Sequence, residues 1–257
     1  TTTRVDENRV ESAAVGGGEN VVVLGRRHNS EYETEPEFVR CVGRGVAATG
    51  AAVVPELEFM NQSIGSPTDK RMNLFDPANP IMMGVVQNQD SYMKGKIAQR
   101  WYYDRVGPAL QDAFDVFYKN TGRKYDFVMP YRCDDADYII VGMGSYMETT
   151  QVAVDYIRKE KGIKVGCLNV VCFRPFPMVQ IVEALKSCKA FAVLERMDDP
   201  LSTTGNHLTR EIKAAFCGAA NGQNGQERIS RIPQIYNGSA GLGSRDVRPG
   251  DLIAVVE

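Results

Sequence analysis

The spacing of apolar positions changes rhythm partway along the chain. From Ile97 to Thr121 it is helical: Val106, Leu110, Ala113, Phe114, Phe117 and Tyr118 predict a helix packing one apolar face on a core. Asn120-Thr121-Gly122 ends it, with Gly122 as a left-handed cap. From Asp137 onward, short apolar runs alternate with helical segments. Tyr138-Ile139-Ile140-Val141 has the continuous apolar character of a strand buried on both faces. Gly142-Met143-Gly144-Ser145 turns the chain, and Ser145 stands three residues before Glu148, the capping-box spacing. The next helix directs Val152, Ala153, Tyr156 and Ile157 inward and stops at Lys161-Gly162.

A second strand is predicted over 165–173, then Pro175 and Pro177 open a helix with Val179, Ile181, Val182 and Leu185 inside. A third strand over 190–194, a helix over 209–216 and a fourth strand over 232–236 follow. Pro249 suits the first turn of a last helix carrying Leu252, Ile253 and Val256. Such alternation predicts an α/β fold, a mostly parallel sheet with flanking helices.

Residues 1–75 show no sustained periodicity. A short apolar run, Val21-Val22-Val23-Leu24, follows three glycines; an acid-rich stretch and a Gly/Ala/Val segment come after it. Asp76-Pro77-Ala78-Asn79-Pro80 is a breaker. Three stretches are therefore expected: an irregular N-terminal extension over 1–75 that wraps on partners, a linker and helix over 76–125, and an α/β core over 126–257.

Composition narrows function only by exclusion. Thirty Lys+Arg against 32 Asp+Glu give a net charge of −2, which argues against a binder relying on a broad basic field around nucleic acid. No apolar run reaches the length of a membrane span, although peripheral association with a membrane complex stays open. Cys41, Cys133, Cys167, Cys172, Cys188 and Cys217 include no Cys-x-x-Cys pair, so zinc-ribbon, ferredoxin-type and thioredoxin signatures are absent. They are expected to be reduced core thiols of an intracellular protein. The chain starts at Thr1 with no secretory signal pattern; a removed organelle-targeting peptide and an unreported start both fit. A mitochondrion or related organelle, or otherwise the cytoplasm, is the expected compartment.

Candidate chemistry is sparse. His28 and His207 lie in polar contexts, far apart, with no nucleophile elbow, and are expected at the surface. Gly142, Gly144 and Ser145 form a weak phosphate-cradle candidate between a strand and a helix, but Met147 stands where a dinucleotide fingerprint has glycine. Asp134-Asp135-x-Asp137 and Asp198-Asp199 lack calcium-loop spacing and fit solvated turns, so no metal site is assigned. Lys94, Lys96 and Arg100 mixed with Tyr92, Trp101 and Tyr102 suggest an amphipathic contact surface. Arg174 could pair with an anion or with a carboxylate of a neighbouring domain.

From about residue 76 the chain resembles the second core domain of the pyruvate:ferredoxin oxidoreductase family. The blocks carrying the likeness are Asn79-Pro80; Gly84 through Asp90 with Tyr92; Asp135-Ala136-Asp137 into Ile139 through Ser145 and Glu148-Thr149; Phe173-Arg174-Pro175-Phe176-Pro177; Ala192 through Arg196; and Gly241 through Asp246 with Pro249. Their order is the family's order. The resemblance implies a fold like the C-terminal domain of transketolase.

The family decarboxylates 2-oxoacids with thiamine diphosphate, Mg²⁺, iron–sulfur clusters and coenzyme A. The motifs carrying those groups are not found here, so the resemblance implies no catalytic residue, no cofactor and no metal on this chain. It implies a non-catalytic accessory or scaffold subunit of a larger assembly with protein partners. The alternative is a subunit of a split 2-oxoacid:ferredoxin oxidoreductase whose thiamine and iron–sulfur sites lie on other chains. An independent nucleotide-binding module using Gly142 to Ser145 is the third reading. Arg174, Gly241, Ser244 and Asp246, with Tyr92 and Trp101, are the expected protein-contact residues.

Overall fold

In the computed structural model, the described residues are 84–257 apart from 224, the strand at 21–23, and positions 62, 77 and 78. The expected N-terminal extension, with His28 and Cys41, lies almost wholly outside them. The described residues belong to two compact units. One lies within Ala51–Tyr125, and the other joins the 21–23 strand to Asp126–Glu257.

The first unit holds two helices where one was expected: α1 (Gln89–Tyr103) and α2 (Val106–Thr121). Pro108 accounts for the break. It has no N–H to donate, and its ring excludes the carbonyl four residues back, at Asp104, so a helix can restart there but not run through. Gly122 takes the left-handed cap conformation (φ 72°) and its N–H donates to the Tyr118 carbonyl at 2.8 Å. The expected buried face does not form. None of the residues of α1 or α2 is buried, and Leu110, Phe114 and Phe117 are only half-buried.

The second unit is a six-stranded sheet. In chain order its strands are β1 (Val21–Val23), β2 (Val128–Tyr131), β3 (Tyr138–Gly142), β4 (Val165–Val170), β5 (Ala190–Glu195) and β6 (Gln234–Ser239). Across the sheet they run β1-β6-β5-β3-β4-β2, all parallel except β2, which pairs antiparallel with β4. The helices are α3 (Tyr146–Tyr156, prolonged by a π-helical turn at Ile157–Lys161), α4 (Met178–Leu185), α5 (His207–Ala220) and α6 (Pro249–Val256). β4 is shorter than expected and β6 starts and ends later. The antiparallel β2 was not anticipated, since Pro130 interrupts its apolar pattern and suits only an edge strand.

The apolar runs make two cores. On one face Ile139, Val141, Leu168 and Val193 pack under α4 and α5; on the other Ile140, Cys167 and Leu194 pack under α3 and α6. A strand sandwiched in this way must be apolar on both sides, and β5 is buried along its whole length. Two details differ from expectation. Ser145 has helical backbone angles (φ −63°, ψ −30°) and makes no side-chain cap, because capping needs an extended residue there. Val179 and Cys217 face outward, while Cys133, Cys167, Cys172 and Cys188 are buried.

Candidate functional site

Strand order locates the site. The chain leaves β3 through α3 to β4 on one side, then returns through α4 to β5 on the other, so the winding reverses at β3. In open α/β sheets, ligands favour the crevice outside the carboxyl ends of the strands at such a switch point. The loops after β3, β5 and β6 carry Gly142, Gly144 and Ser145, then Arg196, then Gly241, Ser244 and Asp246.

The β3–β5 ladder ends at the Val141–Val193 pair, whereas β5 continues beside β6 to the Glu195–Ser239 pair. Tyr146, the first residue of α3, reaches into the parting strands, and its hydroxyl donates to the Leu194 carbonyl at 2.5 Å. Burial pushes that phenol far above its ordinary range, which keeps it protonated as a donor. A Cβ on Gly142 would lie 1.9 Å from the Tyr146 hydroxyl oxygen and 2.8 Å from Met147 Sδ. Glycine at 142 is thus required for the chain's own side chains to close the crevice, and Gly144 (φ 92°) makes the turn.

Next to the crevice, the N-terminal end of α5 is occupied from within. The buried Glu195 carboxylate accepts the Leu208 N–H at 2.6 Å, the Thr209 N–H at 3.1 Å and the Thr209 hydroxyl at 2.8 Å. A carboxylate at that position satisfies free helix N–H groups and the positive end of the helix dipole. Asn237 Oδ1 accepts the Asn206 N–H at 3.1 Å and lies 2.9 Å from the Thr209 hydroxyl oxygen. This network was missed in the sequence; the signal available was a carboxylate closing an otherwise apolar run at Glu195.

The predicted contact residues are only partly brought together. Gly241 lies against Arg196, since an added Cβ would stand 3.0 Å from Arg196 Nε; Ser244 (φ 64°) and Asp246 are exposed on the same turn. Arg174 follows β4, stacks on Phe173 at 4.2 Å and pairs with Glu211 of α5 at 2.5 Å, so its carboxylate partner is in the same chain. Tyr92 and Trp101 belong to the other unit. Nine residues apart on α1, they point to opposite sides of the helix, about 180° apart at 3.6 residues per turn. Lys96 leans over the Tyr92 ring (5.4 Å) and Arg105 over Trp101 (3.8 Å).

Among the described residues no group of three or more His, Cys, Asp and Glu side chains could hold a metal ion. Burial pushes the Cys133 and Cys188 thiols up to about 11, and Cys167 in the same direction, so these thiols stay protonated and unreactive at neutral pH. The acidic clusters are taken by local partners. Arg158 grips Asp135 with two contacts (2.7 and 3.2 Å), which holds that carboxyl below the usual range. Lys189 pairs with Asp137 at 3.1 Å, and Asp198 accepts the Ser239 hydroxyl at 2.9 Å. His207 is exposed at the start of α5.

Comparison with known proteins gives concordant matches. Residues 136–252 match the model of the pyruvate:ferredoxin oxidoreductase core domain II. The chain is 33% identical over 191 residues to a pyruvate-flavodoxin oxidoreductase of Nostoc, covering 73% of this chain and 16% of that protein. It is 31% identical over 183 residues to the pyruvate synthase subunit PorA of Methanothermobacter thermautotrophicus (71% of this chain, 43% of that one). It is 30% identical over 204 residues to PorA of Pyrococcus furiosus (79% and 48%). The chain thus spans less than half the length of these relatives. Among solved structures, a 2-oxoglutarate:ferredoxin oxidoreductase from Magnetococcus marinus aligns at TM-score 0.42 and 17% identity, over 66% of this chain and 24% of that one.

Proposed function

The chain carries the core domain II of the pyruvate:ferredoxin oxidoreductase family, and from that premise we propose that it is a subunit of a split 2-oxoacid:ferredoxin oxidoreductase. Its thiamine and iron–sulfur sites lie on other chains, and this chain supplies a packing domain. The observation carrying the reading is the family match over 136–252, together with identity of about 30% to PorA over 71–79% of the chain. Those relatives are named as subunits of pyruvate synthase, which favours this reading over a non-catalytic accessory or scaffold subunit of some other assembly.

Among the described residues, the groups at the switch point serve packing. Tyr146 reaches into the switch-point crevice, the N-terminal end of α5 is filled by Glu195, and burial holds the Cys133, Cys167 and Cys188 thiols protonated. None of these groups is left to meet a substrate. The nucleotide-binding reading loses ground for the same reason, because Gly142 serves packing.

The test is purification of the native assembly through a tag on this chain. Companion subunits, thiamine diphosphate, iron–sulfur clusters and 2-oxoacid-dependent reduction of ferredoxin are expected together. An assembly devoid of those cofactors and of that activity contradicts the reading.

A further inference from the structure

Helix α1 carries large apolar side chains around its whole circumference and buries none of them. Among the described residues sixteen large apolar side chains are exposed, and eleven of these fall between Val85 and Tyr118. Six stand on α1 itself: Tyr92, Met93, Ile97, Trp101, Tyr102 and Tyr103, each 53–69% exposed. At about 100° per residue, no sector of the helix wider than about 100° lacks one of the six. A helix that is apolar on every side is ordinarily enclosed by other protein. One lying on a bilayer keeps a continuous polar face toward water, and α1 has no face free of large apolar side chains.

Charge on the same helix selects the enclosing partner. Asp90 and Asp104 stand at its two ends, Lys94, Lys96 and Arg100 stand between them, and Arg105 follows. Lys96 lies over the Tyr92 ring and Arg105 over the Trp101 ring. Among the described residues none of the four cations pairs with a carboxylate. A second copy of α1 does not supply one. Laid antiparallel about Ile97, it sets Lys94 against Arg100 and Asp90 against Asp104; laid parallel in register, it sets every cation against itself. We propose that a companion protein subunit encloses α1 in an apolar cleft whose walls present carboxylates to Lys94 and Arg100. This rests on the reading above that such subunits exist, and adds the element that one of them grips and the chemistry of its cleft.

The test uses the full chain assembled with its native companions. Met93 and Tyr102 are nine residues apart and face opposite sides of α1, about 180° from each other. Met93→Gln and Tyr102→Gln, chosen because glutamine suits a helix, are each expected to weaken assembly at least about tenfold in native mass spectrometry and titration. Lys94→Glu combined with Arg100→Glu is expected to weaken it at least about tenfold at low salt, and Lys94→Arg combined with Arg100→Lys nearly to keep it. The melting temperature of the isolated chain is expected to stay unchanged in all of them. Wild-type assembly by either glutamine variant overturns the enclosure, and wild-type assembly by the double glutamate variant overturns the carboxylate-lined cleft; both leave the split-enzyme reading intact. A wild-type chain that gathers no companion overturns both the enclosure and that reading. Loss confined to self-association, loss confined to binding of anionic phospholipid vesicles, or assembly lost only in step with the melting temperature also overturns the assignment.

Discussion

Glu195 and Thr209 meet where β5 ends and α5 begins: one carboxylate oxygen of Glu195 lies 3.1 Å from the Thr209 backbone nitrogen and 2.8 Å from its hydroxyl. The other carboxylate oxygen takes the Leu208 N–H at 2.6 Å. A strand is thereby stapled to the helix that follows its loop, inside the protein and away from water. Replacing Glu195 with Ala strands helix N–H donors and the Thr209 hydroxyl in a buried setting. It is expected to cost about 2–4 kcal/mol. Thr209→Val, which keeps the shape and leaves the two N–H bonds, is expected to cost about 1 kcal/mol. Urea denaturation of the purified chain checks both values and their order.

Gly142 depends on Tyr146. An alanine at 142 places its methyl carbon where the Tyr146 hydroxyl and Met147 sulfur already are. Either α3 shifts or the crevice opens, at an expected cost of about 1–3 kcal/mol. Tyr146→Phe leaves the Leu194 carbonyl without its hydroxyl donor and is expected to cost about 1–2 kcal/mol. Differential scanning calorimetry of the two variants tests the claim that this glycine serves packing. A Gly142→Ala chain as stable as the wild type goes against it.

The buried thiols set an alkaline limit. Cys133 and Cys188 rise from 9.0 to about 11 because burial disfavours the thiolate, and Cys167 moves in the same direction. A raised folded value means the contribution is fully present below pH 9.0. It declines as the unfolded thiols ionise, and is lost as pH passes about 11. The urea midpoint is therefore expected to fall across that window. A Cys133→Ala, Cys167→Ala, Cys188→Ala chain is expected to show a smaller fall. In the native protein these three thiols are expected to resist aromatic disulfide reagents that modify exposed Cys217.

Arg174 offers a separation of roles. Its pair with Glu211 involves side chains that are 57% and 37% exposed, so Arg174→Ala is expected to cost less than about 1 kcal/mol of stability. If Arg174 also contacts a companion subunit, assembly titration shows a loss that the melting temperature does not. Equal assembly by the variant removes Arg174 from the contact residues.

Much of the second unit could be read in the residues. Ile139 to Val141 and Phe191 to Leu194 have no polar interruption, and only a sheet covered on both faces tolerates that. Gly122, Gly162 and Pro249 marked helix ends because their backbone limits are local properties. β2 was hidden because Pro130 masks its pattern, and its antiparallel pairing is fixed by β4, over thirty positions away. The α1–α2 break was hidden because the clash of Pro108 involves a carbonyl rather than a side chain. The site was legible only as fragments. Gly142 and Gly144 invited a phosphate reading, since sequence shows the absent Cβ and not the Tyr146 hydroxyl in its place. Tyr92 and Trp101 are both exposed, and only the helix geometry shows that they face opposite sides.

The most direct test of the central claim is reconstitution of electron transfer from separately produced subunits. Companion chains loaded with thiamine diphosphate and iron–sulfur clusters would be assayed for 2-oxoacid-dependent ferredoxin reduction, with and without this chain. The expected result is activity only when this chain is included, and none from this chain by itself. Full activity of the companions without it, or turnover by this chain alone, would contradict the assignment.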